Sequence, residues 1–102
     1  MEGENMNIQG YYFEGPWVLG QLFNDVSGIY VVYTNAKWLD VGETDKLGNR
    51  INGDNHERKP DWIRNADQRQ INIAFLKELN PENRLKIESH LRSVLKPCCG
   101  DR

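Results

Sequence analysis

The stretch SGIYVVYTNAKWLDVGET, residues 27–44, constrains the fold more than any other part of the chain. Residues 29–34 are β-branched and aromatic, the composition of a strand. Asn35 and Ala36 supply a tight turn, and residues 37–43 form the return strand. Alternation places Ile29, Val31 and Tyr33 on one face and Tyr30 and Val32 on the other. On the return strand the same rule puts Trp38, Asp40 and Gly42 on a common face. Asp40 is the anomaly, because a carboxylate within such a strand sits either on a solvent face or at a site.

Local signals mark the remaining elements. Residues 70–76 alternate, with Ile71, Ile73 and Phe75 on one face of a third strand. Asn80, Pro81 and Glu82 are an N-cap residue, a first-position proline and a first-turn acid. They start a helix that runs to about Leu95 and ends before Pro97. Thr44 or Asp45 can cap a short helix over residues 45–52, with Leu47 and Ile51 on its buried side and Arg50 at the edge of that side. Residues 61–67 make one or two helical turns. Residues 11–23 are aromatic and apolar but interrupted by Gly15, Pro16 and Gly20. They read as a short strand or extended arm over the core, or as a surface that packs on a partner, since consecutive aromatics are costly to expose. The expected organisation is an N-terminal arm, residues 1–26, packed on one domain, residues 27–100.

At 102 residues the chain suits one domain that buries roughly 60–65% of its unfolded surface. Its 13 basic and 15 acidic residues give a net charge of −2, so the whole chain carries no strong field for nucleic acid. Cys98 and Cys99 are adjacent and staple nothing at long range, which excludes a disulfide scaffold and points to a reducing compartment. No apolar run approaches transmembrane length, and the acidic, polar N-terminus does not read as a signal peptide. A soluble cytoplasmic domain without membrane contact is expected.

The last helix carries a second carboxylate in an apolar setting. Leu85, Leu91 and Leu95 lie within about 60° of Glu88 around the helix axis. Glu88 is therefore expected to face the sheet, and His90 to face solvent. A buried carboxylate costs several kcal/mol unless it is paired or binds a metal. Glu88 is thus an edge residue, the partner of a buried arginine such as Arg50, or a metal ligand or catalytic acid.

Gly28-Ile29-Tyr30, a strand ending in Val41-Gly42-Glu43-Thr44, a helix with Arg50, then His56, and Glu88 on a late helix follow one another along the chain. This order resembles the GIY-YIG endonuclease superfamily, and the segment RLKIESHLRSVLKPCCGD resembles its small stand-alone members. The resemblance covers residues 27–100. It implies an α/β (α+β) fold, a small three-stranded, largely antiparallel sheet flanked by helices, in agreement with the strands read above. It implies hydrolysis of DNA phosphodiester bonds with one divalent ion, Mg2+ or Mn2+, held by Glu88. By the same resemblance Arg50 matches the arginine that holds the scissile phosphate. Tyr30 matches the tyrosine that positions or deprotonates the attacking water, and His56 matches a base or relay. The second motif is a variant, Asp40-Val41-Gly42, with Asp40 where the family has a tyrosine. Asp40 is then a base or second metal ligand beside Glu88, or the mark of lost activity. The interval between Arg50 and His56 is longer than the family pattern, and Pro97-Cys98-Cys99-Gly100 occupies the region of its late asparagine.

Each of these residues also has a plainer reading. Tyr30 can be a half-buried strand tyrosine bonded to backbone, Arg50 a salt-bridge partner of Glu88, and His56 a solvated loop histidine. Across residues 45–69 six basic residues face five acidic ones, so DNA binding by this surface alone is expected to be weak. Two functions from different classes remain. One is a metal-dependent endonuclease. The other is a catalytically impaired module of the same fold that binds nucleic acid or a protein partner, self-association included.

Overall fold

The structure, a computed structural model, describes residues 4–19, 25–52 and 58–100, and for residues 4, 5, 49, 50 and 52 the backbone alone. The strands are β1 (Glu4–Ile8), β2 (Tyr11–Val18), β3 (Gly28–Tyr33), β4 (Trp38–Thr44) and β5 (Asn72–Lys77). The helices are α1 (Leu47–Asn52), α2 (Lys59–Asn65) and α3 (Pro81–Leu95). All five strands join one antiparallel sheet in the order β1-β2-β5-β3-β4.

The fold is mixed α/β, but its sheet has five strands where three were expected. The two additional strands come from the N-terminal segment. Ile8 and Phe13 enter the core beneath α3, which gives that segment a reason to pair. Gly15 and Pro16 do not break β2, because the pairing with β5 slips between Glu14 and Trp17. Such an irregularity absorbs a residue that has no N–H to donate.

β3 lies between β5 and β4 and is buried along nearly its whole length. Helices cover both of its faces, which is why its sequence is a continuous apolar run rather than an alternation. On one face Tyr30, Val32, Leu39, Ile73 and Phe75 pack with Leu47 and Ile51 of α1 and Trp62 of α2. On the other, Ile29, Val31, Val41 and Ala74 pack beneath Leu91 and Leu95 of α3.

The β3–β4 turn forms at Asn35–Ala36 as expected. Thr34 N–H donates to the Lys37 carbonyl at 2.9 Å, and Thr34 Oγ1 accepts from the amides of Ala36 and Lys37. The register then shifts, with Val32 opposite Asp40 and Tyr33 opposite Trp38, so Leu39 is the extra residue. This bulge corrects the expected alternation of β4. Asp40 and Gly42 share the face of Tyr30, but Trp38 is turned to the other face, where its ring lies 5.7 Å from that of Tyr33.

The boundaries of α3 follow its residues. Asn80 Oδ1 accepts from the amides of Glu82 and Asn83, and Lys96 ends the helix in the left-handed region at φ 51°. Its orientation differs from the apolar spacing. Leu85 is 55% exposed, while Arg84, Leu91, Arg92 and Leu95 are buried. Two arginines take the inward positions because β4 presents acids to them.

Candidate functional site: a buried carboxylate cluster at the β4 edge

Asp40 is completely buried. Desolvating one carboxylate costs several kcal/mol, and four donors offset it. The Val41 amide donates to Oδ1 at 2.8 Å, and Trp62 Nε1 donates to Oδ2 at 2.8 Å. Arg58 Nη1 contacts both oxygens, at 3.2 and 3.3 Å, and Arg92 Nη2 donates to Oδ1 at 2.5 Å. Arg92 Nη2 also donates to the Val41 carbonyl on the outer edge of β4. Its Nε contacts Glu88 Oε2 at 3.4 Å. Two carboxylates and two guanidiniums thus balance in charge. Among the described residues no buried side-chain nitrogen or oxygen lacks a hydrogen-bond partner.

A second acid–arginine pair extends the cluster. Arg84 Nε donates to Glu43 Oε1 at 3.0 Å, and its Nη1 donates to the carbonyls of Glu78 and Leu79. Three residues of strand span about 10 Å and eight residues of helix about 12 Å. The Asp40–Arg92 and Glu43–Arg84 pairs therefore match α3 to β4 in opposite directions, and fix how far the helix slides along the strand.

The C-terminal segment closes the same edge. Cys98 N–H donates to the Trp38 carbonyl at 3.2 Å, and Cys99 N–H to the Leu39 carbonyl at 2.8 Å. Arg92 Nη1 donates to the Cys99 carbonyl at 3.3 Å. Gly100 follows at φ +87°, and a side chain there would collide with Asp40 and both arginines. Burial, then the neighbouring Cys98, push the Cys99 thiol up to about 12.

The expected site residues are placed as follows. Tyr30 is 1% exposed, with its ring over Gly42 and 6.3 Å from the Trp62 ring. A Cβ at position 42 would enter the Tyr30 ring, so the glycine of the variant motif is what the buried tyrosine requires. Glu88 is half-buried and paired with Arg92. Arg50 lies on α1, where only its backbone is described, so the expected Arg50–Glu88 pair falls outside the description. His56 also lies outside the described residues. The structure thus gathers Tyr30 and Asp40 around Trp62, and joins Asp40 to Glu88 through Arg92.

No family model matches the chain, and no curated protein or solved structure matches it either. The GIY-YIG resemblance therefore rests on the order of the motifs and on the C-terminal segment of the sequence alone.

Nothing in the sequence alone assigns Arg58, Trp62, Arg84 or Arg92 to this cluster. One signal was present: Arg84, Glu88 and Arg92 are successive i, i+4 neighbours on a helix whose Leu91 and Leu95 face inward. The same geometry bears on a metal at Glu88. The Arg92 guanidinium already spans Glu88 and Asp40, and a divalent ion beside it would meet like charge. Among the described residues no three His, Cys, Asp or Glu side chains converge. This donor set suits a guanidinium better than Mg2+ or Mn2+.

Proposed function

We propose that the chain is a GIY-YIG-like module that binds a protein partner, its motif positions having been turned from hydrolysis to holding the fold. One observation carries this reading. Asp40, at the position of the second-motif tyrosine, is buried and bonded to Val41 N–H, Arg58, Arg92 and Trp62. Four donors engage both oxygens of this carboxylate, which leaves it buried and turned away from an attacking water. Tyr30, sealed in the core, does not reach a solvent-borne phosphodiester either. A protein is favoured over nucleic acid because the net charge is −2, while Tyr12, Ile63, Leu79 and Leu85 expose apolar side chains.

The second reading is the metal-dependent endonuclease, hydrolysing DNA with one Mg2+ or Mn2+ at Glu88. It is favoured by the partial exposure of the Glu88 side chain, 22%. One assay separates the two. Supercoiled plasmid and single-stranded DNA are incubated with the protein in Mg2+ or Mn2+, beside Glu88→Gln. The binding module gives equal, background cleavage by both proteins. Metal-dependent nicking that Glu88→Gln abolishes overturns it in favour of the nuclease.

A further inference from the structure

We propose that Cys98 and Cys99 form a preorganised dithiol site for a trivalent organic arsenical, one arsenic atom bridging both sulfurs. The two Sγ atoms lie 3.7 Å apart, and both cysteines are free thiols, Cys98 exposed and Cys99 buried. A single thiophilic centre with bonds of about 2.3 Å holds two sulfurs about 3.8 Å apart at tetrahedral angles, and about 3.3–3.5 Å apart at the narrower angles of pyramidal, lone-pair-bearing arsenic(III). The observed spacing lies within about 0.4 Å of the arsenic requirement, a closure that small side-chain rotations supply.

A disulfide fits less well. It needs the sulfurs at about 2.05 Å and α-carbons at least about 4.4 Å apart, whereas adjacent residues hold them at about 3.8 Å. The backbone here is also fixed: both amides donate to β4 carbonyls, and the Cys99 carbonyl accepts from Arg92. Asn65 Nδ2, 3.5 Å from Cys99 Sγ, holds the buried thiol in place. The sulfurs are thus presented together before any ligand arrives, which lowers the ordering cost of binding both.

The number of ligands decides between thiophilic centres. Zinc needs four, and the described residues offer no third His, Cys, Asp or Glu at this place. An arsenic atom that carries its own organic group needs only two thiols. In the reaction, an arsenoxide R–As=O condenses with the two S–H groups. Two As–S bonds form, the As=O oxygen leaves as water with both thiol protons, and arsenic stays trivalent. The raised Cys99 thiol is no obstacle, because its proton departs in the water, whereas disulfide exchange requires a thiolate.

The test uses phenylarsine oxide with the full chain, read by intact mass and by tryptophan fluorescence. Trp38 accepts from the Cys98 amide and Trp62 sits on the Asp40 cluster, so both report on this edge. One adduct per folded chain is expected, retained in excess glutathione and removed by a dithiol such as 2,3-dimercaptopropanol. Cys98→Ser, at the exposed position, is expected to lose retention in glutathione at least tenfold while keeping the wild-type circular dichroism. The proposal is overturned if the adduct forms only in urea, if glutathione strips it from the wild type, or if Cys98→Ser retains it equally.

Discussion

Asp40 does more for stability than any exposed ion pair among the described residues, because burial multiplies the consequence of losing a partner. Asp40→Ala leaves Arg58 and Arg92 without their shared counter-charge, and Arg92 is itself buried. Breaking a buried pair from one side costs about 3–5 kcal/mol, and urea denaturation of the variant is expected to show a loss of that size. By contrast the exposed Lys37–Asp67 pair is worth about 0–1 kcal/mol. Cys99 gives a second residue-scale expectation. Its folded thiol is raised to about 12 from an ordinary value of 9.0, so the unfolded chain releases this proton first. The contribution is whole below pH 9 and is lost as pH climbs toward 12. Thermal melts across that range should therefore fall less steeply for Cys99→Ala than for the wild type. Burial also raises the Tyr33 hydroxyl, but that acts equally in both proteins.

At the scale of elements, α3 is the clearest case of a sequence announcing its own limits. Asn80→Ala removes the acceptor of two first-turn amides, and about 1 kcal/mol of stability should go with it in chemical denaturation. The hairpin of β3 and β4, the alternation of Ile71, Ile73 and Phe75, and the turn at Asn35–Ala36 were equally legible, because each depends on residues close in the chain. What escaped depended on partners far away. The Leu39 bulge that turns Trp38 over has no local marker. The short strand or arm read over residues 11–23 is present as β2, but its pairing on β5 and its continuation through Gly15 and Pro16 have no local marker. At the candidate site, Asp40 was conspicuous from the start, but its burial was not. Arg58 and Arg92 lie 18 and 52 residues further along the chain, and nothing in the spacing joins them.

For the whole molecule, the N-terminal hairpin of β1 and β2 is a structural requirement as well as an appendage. Deleting residues 1–18 would strip the pairing of β5 on one side and uncover Ala74 and Leu91, now shielded with the help of Ile8 and Phe13. An exposed apolar edge of that kind templates pairing with another chain. The truncated protein is expected to self-associate, with light scattering rising with concentration while the full chain stays unchanged. The two ends of the intact sheet are not equivalent. At β4 the outer carbonyls of Trp38, Leu39 and Val41 are already occupied by Cys98, Cys99 and Arg92. At β1, no further strand follows among the described residues. Among the described residues, edge-to-edge joining by this sheet therefore has a valence of one. Two copies meeting β1 to β1 about a two-fold axis would use up the borders left open among the described residues. Such a series terminates at the pair, and the occupied β4 border denies it the second contact that a filament needs in order to grow.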